Sequence, residues 1–570
     1  MPDINTEEYL DIPGTIRIFD EAGHVVQTDH VNLHPMPSED PEDPLNWSKT
    51  RKWIFLSCVI WYQFVVNLQA AVLYAIYTPL IEEKGLSLDQ LNAGTGYLYL
   101  FIGIAAIFTQ PLALGYGKRP IYIISTFACA LLNIWTVYIP NNSQWIGSRL
   151  LLGFFLSPAY TLIQVSIVDV FFVHERSLPM SIYALAIYAG GCMGPVLSGQ
   201  VYDAIGWKPI IWLSTGLTVI TGFILLFFLE ESSYIRRSKV KAAVHVVDEV
   251  ERSTESGIHN HLAQIEEGEN QDEGQKNIKM DTVEAGVYDV TLNNDNRSGQ
   301  KFPLNTPWHG IRFWKFAKPH PQARAIIVKT VFQCLMAFRL PAVIWSGIVL
   351  GSFQAFYNFV SALASGILAE EPYNMSSSAV GLTFLSSLIA AIPVAFFGGP
   401  LADWYGLRCA KRNHGISEAE HKLHLWIICV ILTPIGLLMM GLGPYYQAHW
   451  IVFVLGCGII NFVGTFGTLL AINYIFDCFH EIHPNDPDSP SSAAQDAAPY
   501  LLTSILICMI FSFALGYAIT PWCFEWGLKN FGISSAIIFT FIEASAVIML
   551  IWGKKMRRSG ENYYRKVVNW

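Results

Sequence analysis

Apolar runs of similar length recur along this chain, separated by short polar turns, and one long polar stretch divides them into two groups. A helix needs about twenty mainly apolar residues to cross the hydrocarbon of a bilayer. Runs of that length predict helices at 53–80, 91–114, 121–139, 145–168, 178–201 and 210–229. Six more are predicted at 343–365, 379–402, 424–440, 450–475, 500–519 and 532–552. Six plus six predicts an all-α membrane protein of twelve transmembrane helices in two pseudo-symmetric six-helix halves, 53–229 and 341–553.

The polar segments complete the organisation. Residues 1–52 carry no apolar core of a signal peptide, so the first membrane helix is expected to act as the targeting signal. Residues 230–340 are rich in Glu, Asn, Asp, Lys and His and cannot bury enough apolar area to fold firmly, which predicts a central loop with an amphipathic helix near 321–339. A second flexible stretch is expected at 481–495, where Pro484, Pro487 and Pro490 cluster. With alternating helices, Lys118, Arg119, Arg176, the basic residues of 236–241 and 408–412, and those of 554–558 fall on one side. The other side holds the isolated Lys84, Lys208 and Lys529. The positive-inside rule then puts both termini and the 554–570 tail in the cytosol. Glycosylation sequons at Asn141 and Asn374 land outside, whereas those at Asn46 and Asn296 land inside.

Composition narrows the class. Of 570 residues, 52% are hydrophobic and 14% charged, against a charged share of roughly 25% in soluble domains. The solvent is therefore lipid, and a soluble enzyme is excluded. The net charge of -9 is set largely by the N-terminal region and the central loop. Lys and Arg sit beside apolar runs, where membrane orientation needs them, so no nucleic-acid partner is expected. The ten cysteines lie mostly inside apolar runs, as at Cys58, Cys129, Cys192 and Cys457, with no metal spacing. They read as small core hydrophobes, with neither disulfide, metal nor cofactor.

Two related runs carry the first motif. Gly399-Pro-Leu-Ala-Asp403-Trp-Tyr-Gly406-Leu-Arg408 has a weaker copy in Gln110-Pro-Leu-Ala-Leu114-Gly-Tyr-Gly117-Lys118-Arg119. The first resembles the loop signature between the second and third helices of major facilitator transporters, and the second places the same loop in the N-terminal half. The resemblance implies a cytoplasmic latch between the halves, made by Asp403 with Arg408 and by Lys118 and Arg119. Leu114 replaces the acid of the N-terminal copy, so Asp169 at the end of the fourth helix becomes the candidate partner. The alternative is that these charges sit in interfacial water.

The fifth helix holds Gly190, Gly194, Pro195 and Gly199, resembling the Gly-Pro signature of facilitator drug:proton antiporters. Glycines four apart permit close helix approach and Pro195 bends the helix, a packing and gating device. On the fourth helix, Arg149, Gly153, Ser157, Tyr160 and Gln164 recur at helical spacing and predict one cavity-facing stripe. Arg149 followed by Gly153 resembles a facilitator signature linked to proton movement; snorkelling of Arg149 to the headgroups is the other reading. Facilitators line their cavity with helices one, four, seven and ten. Here those helices offer Gln63, Asn67 and Tyr74, then Tyr160 and Gln164, then Gln354, Tyr357 and Asn358, then Asn461, Thr465 and Thr468. Each alone also fits an interhelical hydrogen bond. Glu543 is the carboxylate read near the middle of a span, either a proton carrier or a protonated acid bonded to a neighbour.

The run Asp43-Pro44-Leu45-Asn46-Trp47-Ser48, preceded by Ile12-Pro13-Gly14-Thr15, and Val165-Ser-Ile-Val-Asp169 with His174-Glu175-Arg176 resemble fungal facilitators of the drug:proton antiporter group. The likeness is to relatives of the yeast polyamine and histidinol uptake transporter. One departure matters: Ser157-Pro158-Ala159-Tyr160-Thr-Leu-Ile-Gln164 carries no acid where a cationic substrate would want one. A dication would meet a steep desolvation penalty there. The resemblance implies a monomeric fungal cell-membrane transporter working by alternating access. The resemblance also implies proton-coupled export of a small organic compound, a secondary metabolite or drug, and Tyr160, Gln164, Tyr357 and Asn358 suit a neutral, aromatic or amphipathic one. Uptake of polyamines or other organic cations is the rival, and a non-transporting sensor signalling through the central loop is a third reading. A channel is disfavoured, since no charged ring or filter-like run appears.

Overall fold

A computed structural model of the chain describes residues 15–17, 43–85, 87–139, 141–172, 175–234, 323–413, 416–479 and 493–568. Asn296, His174, the prolines of the 481–495 stretch and most of the central loop lie outside the described residues. Among the described residues, twelve helices are long and apolar enough to cross a membrane: Lys49–Ile76, Leu88–Tyr116, Lys118–Val137, Asn142–Val170, Ser177–Ile205 and Lys208–Phe228, then Pro341–Leu368, Ser377–Arg412, Ala419–Tyr445, Ile451–Cys478, Ala497–Cys523 and Leu528–Gly560. They are called the first to twelfth spans below.

Local chemistry sets their ends. Ser48, Ser87, Asn141 and Ser376 turn a side-chain oxygen onto a first-turn amide of the first, second, fourth and eighth spans, satisfying a donor that the helix leaves unpaired. Pro341 opens the seventh span, where a missing N–H costs nothing. Gly117, at φ 101°, joins the second and third spans in a single residue, a conformation that side chains rarely adopt.

Burial orders the bundle. Within the most apolar window of each span, 72, 83, 78 and 72% of the first, fourth, seventh and tenth is buried, against 44, 44, 39 and 33% of the third, sixth, ninth and twelfth. The former therefore stand at the centre and the latter outside. Exposed Leu131, Phe223, Ile389, Phe397, Ile537 and Phe541 form part of an apolar outer surface, which suits lipid rather than water. The halves repeat each other's packing: first on fifth, second on fourth and third on sixth span recur as seventh on eleventh, eighth on tenth and ninth on twelfth.

Two seams join the halves along their length. In one, Asn92 Nδ2 donates to Thr520 Oγ1 (3.1 Å), Tyr517 to the Tyr97 hydroxyl (2.7 Å) and Gln110 Nε2 to the Ala498 carbonyl (3.1 Å). Gly96 and Gly516 let the second and eleventh spans touch backbone to backbone there. In the other, the Ser378 amide donates to Asp203 (2.9 Å), Gly381 abuts the Pro195 carbonyl, and Gly399 abuts the Ser177 carbonyl.

Strand β1 (Thr15–Arg17) pairs antiparallel with β2 (Ile416–Glu418), so the segment before the first span is tied to the connection between the eighth and ninth spans. This end of the bundle, which also carries Val568, is the terminal face. One sequence expectation changes here, and two further segments gain definition. The Gly399–Arg408 run is helical, because the eighth span continues to Arg412 through a π-helical turn at Val394–Gly398; only its N-terminal copy makes a turn. The 554–570 tail is helical from Ala546 to Val568. Within the central loop, a helix at Ala323–Ala337 packs against the second and eleventh spans, its Ala323 against Gly115.

Candidate functional site

The central spans bring together tyrosines and carboxamides. Tyr160 of the fourth span donates to Asn67 Oδ1 of the first (2.6 Å), and Asn67 Nδ2 donates to the Gln63 carbonyl (2.9 Å). A turn nearer the terminal face, Gln164 Nε2 donates to the Tyr183 hydroxyl (3.1 Å) of the fifth span. Tyr357 of the seventh span donates to the Gly191 carbonyl (3.0 Å), and its ring lies 6.3 Å from Tyr74. Asn358 Nδ2 donates to Ser512 Oγ (2.9 Å), Asn461 Nδ2 to Ser387 Oγ (2.8 Å), and Thr465 to the Asn461 carbonyl (2.8 Å). Thr468 and Tyr188 pair their hydroxyls at 3.4 Å. Gln354 is half-buried.

One asymmetry runs through these groups. Gln164, Asn358 and Asn461 each engage the amide N–H₂, while Oε1 or Oδ1 has no partner among the described residues; in Gln63 neither side-chain atom has one. Buried polar atoms are normally paired. Four carboxamides at the bundle centre thus keep acceptor oxygens free. A small cleft near the face opposite the termini is lined by Tyr74, Tyr77, Asn92, Asn358, Ser361 and Gly516.

Arg149 is buried within the bundle rather than on its outer surface. It is 5% exposed, its guanidinium lies 4.1 Å over the Trp145 ring, and its electrostatic neighbours are Tyr74 and Tyr77. Nε has no hydrogen-bond partner among the described residues. The predicted stripe on the fourth span divides: Gly153 abuts the Leu98 backbone and Ser157 bonds Thr109 (3.2 Å), so both pack on the second span. Gly190 and Gly194 press the fifth span onto the backbone of the first at Phe64 and Leu68, while Gly199 meets the Ser377 carbonyl across the halves.

Among the described residues, four carboxylates are buried, and each is engaged away from the central tyrosine and carboxamide cluster. Asp43 caps a short turn at Leu45 (3.1 Å), Asp169 pairs with Lys118, Glu420 with Arg557, and Glu543 shares a hydrogen bond with the Ser352 hydroxyl (2.7 Å) and accepts from Trp426 (2.9 Å). Glu543 is thus wedged between the seventh, ninth and twelfth spans.

At the terminal face the charges sort differently from the expected latch. Lys118 and Asp169 join the third and fourth spans of one half. The Glu231 carboxylate accepts from the Lys118 and Arg119 amides (3.0 and 3.1 Å), and Arg119 donates to the Leu226 carbonyl (2.7 Å). Asp403 lies 3.7 Å from Lys422, which sits 2.9 Å from Asp477. Arg408 is exposed over the Trp404 ring at 5.3 Å. The geometric reason is that Asp403 and Arg408 stand five residues apart on one helix and point to different sides. One link between the halves at this face is Asp403 facing Ser177 at the start of the fifth span. Lys422 and Asp477, missed in the sequence, hold in the second half the positions of Lys118 and Asp169 in the first. Their signal was the internal repeat itself.

Asn141 caps the fourth span and Asn374 precedes the eighth, both on the face opposite the termini. All ten cysteines are free thiols, and no His, Cys, Asp and Glu cluster among the described residues suits a metal.

The sequence model of the Major Facilitator Superfamily matches residues 59–477. An uncharacterised MFS-type transporter of Schizosaccharomyces pombe is 26% identical, over 99% of this chain and 95% of its own. Protein HOL1 of Saccharomyces cerevisiae is also 26% identical, over 98% and 97%. Among solved structures, the proton:xylose symporter XylE bound to 6-bromo-6-deoxy-D-glucose superposes with a TM-score of 0.53 at 13% identity, covering 88% of this chain and 96% of that one; this likeness concerns the fold alone. Duplicated six-helix packing, twelve spans and a family match across both halves agree, and the chain belongs to the Major Facilitator Superfamily of transporters.

Proposed function

We propose that this transporter exports a small neutral organic compound, a metabolite or drug, in exchange for protons. One observation carries the substrate class: among the described residues the central tyrosine and carboxamide cluster has no carboxylate, and a charged neighbour is the cation Arg149. An organic dication entering there would lose its hydration and gain no counter-ion. A neutral solute bearing N–H or O–H groups would instead meet the oxygens of Gln63, Gln164, Asn358 and Asn461, with Tyr74, Tyr160 and Tyr357 as aromatic walls.

Alternating access follows from the repeat. The halves rock about the central spans, and the seams open at one face while they hold at the other. Asp403 against Ser177, together with the charge clusters of Lys118 with Asp169, Arg119 with Glu231, and Lys422 with Asp403 and Asp477, steadies the terminal face. Arg149 and Glu543 are the proton-handling groups. Export direction draws support from the Gly190, Gly194, Pro195 and Gly199 signature and its resemblance to drug:proton antiporters. A membrane potential of about 100 mV supplies about 2.3 kcal/mol per charge moved, enough for a tens-fold gradient. On this reading the monomer sits in a fungal cell membrane with both termini cytosolic and Asn141 and Asn374 outside.

The test is retention of fluorescent aromatic compounds and of radiolabelled spermidine in yeast expressing the protein or Arg149→Ala, with and without a protonophore. Lower retention of an aromatic probe that needs both Arg149 and the proton gradient is expected. Raised spermidine uptake with the same dependence would overturn both the direction and the substrate class.

A further inference from the structure

Ser352 sits between two acceptors and has one proton to give. Its Oγ lies 2.7 Å from the Val349 carbonyl in its own span and 2.7 Å from Glu543 Oε1 in the twelfth. A hydroxyl donates once and accepts through its lone pairs. If Ser352 donates to Val349, as helical serines commonly do, then the short contact to Glu543 requires a proton on Oε1. Trp426 Nε1, a donor only, occupies Oε2 at 2.9 Å. The chain Trp426→Glu543→Ser352→Val349 is then complete, with every donor used once.

The surroundings favour that neutral form. Glu543 is fully buried. The seventh span presents Ser352 to it, and the ninth presents Trp426 and the thiol of Cys429. No Lys, Arg or His among the described residues faces it. Phe353 and Trp345 stack around Trp426 at 5.7 and 5.3 Å, and Trp345 donates to Ser545 (2.9 Å). The Glu420–Arg557 pair lies beyond, beside Tyr474 and Gly553. An ionised carboxylate here would be an uncompensated buried charge.

We propose that Glu543 is a proton-binding site, a neutral carboxylic acid in this closed state that donates from Oε1 to Ser352. On ionisation the proton passes to water and the Ser352 hydroxyl turns from Val349 to Oε1, so the carboxylate keeps two donors. The seventh span carries both Ser352 and, one to two turns on, Tyr357 and Asn358. Proton loss at Glu543 therefore acts on the helix that lines the central cluster. This deepens the proton-coupled reading above and rests on it for its purpose, though not for its chemistry.

Infrared spectroscopy of the purified full-length protein in lipid nanodiscs tests it. At neutral pH the difference between wild type and Glu543→Gln should contain a protonated-carboxyl stretch, and Ser352→Ala should move that band to higher frequency by removing its acceptor. Glu543→Gln preserves the shape and both bonds, so it should fold. Its melting temperature should be less sensitive than that of wild type to a change from mildly acidic to mildly alkaline buffer. Absence of the band, or a band that Ser352→Ala leaves in place, would overturn the proposal. Failure of wild type to move any aromatic probe or spermidine would sink the transport reading alone, because the infrared result decides protonation without a solute.

Discussion

Tyr357 and Gly191 bond across the middle of the molecule: the hydroxyl of the seventh span donates to a carbonyl of the fifth at 3.0 Å. A side chain on Gly191 would collide with that same hydroxyl, so the absence of a Cβ there admits the contact. A neutral hydrogen bond of this kind contributes about 1 kcal/mol, roughly fivefold in an equilibrium between closed and open halves.

Tyr357→Phe is therefore expected to raise amide exchange in the segment 186–199 severalfold, and Gly191→Ala to raise it further, measured by hydrogen–deuterium exchange in nanodiscs. Equal exchange in all three proteins would mean that the bond does not hold the halves together.

The Lys118–Asp169 pair is almost wholly buried, with side-chain exposures of 2 and 9%. Breaking a buried ion pair by removing one partner costs about 3–5 kcal/mol, whereas apolar replacement of both is often neutral. Lys118→Met alone should lower the melting temperature strongly, and Lys118→Met with Asp169→Leu should recover most of the loss. Additive losses in the double variant would show that each residue acts separately.

The same pair shows where the sequence speaks and where it stops. Twelve spans are legible because lipid demands long apolar runs, and partners such as Lys118 and Asp169 are legible because a charge beside lipid needs one. Lys422 and Asp477 were legible only through the internal repeat. Asp403 and Arg408 misled because adjacency in a motif says nothing about helix face. Gly153 and Ser157 share spacing with Tyr160 and Gln164, yet the wide buried surface of a central helix serves the second span and the cavity at once. The partners of Glu543, Ser352 and Trp426, lie 191 and 117 residues away in sequence, a distance at which no local pattern operates.

Gly190 and Gly216 separate packing from propensity. A Cβ on Gly190 would meet the Phe64 carbonyl, whereas Gly216 has open space around it. Overpacking of this kind costs about 1–3 kcal/mol, while Ala in place of an unconstrained helical Gly stabilises by up to about 1 kcal/mol. Gly190→Ala should reduce the monodisperse peak in fluorescence-detected size exclusion after heating, and Gly216→Ala should preserve or raise it. Identical behaviour of the two would contradict the close approach of the first and fifth spans.

The ribbon of β1 and β2 joins Thr15, Ile16 and Arg17 to Glu418, Ser417 and Ile416. Two three-residue strands are marginal on their own. Glu418 is also held by Lys554 at 2.5 Å, so the second strand is anchored by the end of the twelfth span and the first strand is the dependent partner. Proline lacks the amide that a ladder needs and is poorly tolerated in paired strands. Ile16→Pro should therefore raise amide exchange at Ile416–Glu418 while leaving the melting temperature of the bundle unchanged, because no span loses a contact. A large fall in melting temperature would show instead that the N-terminal segment is an integral support of the terminal face. Unchanged exchange would show that Lys554 and the end of the twelfth span suffice to order the connection.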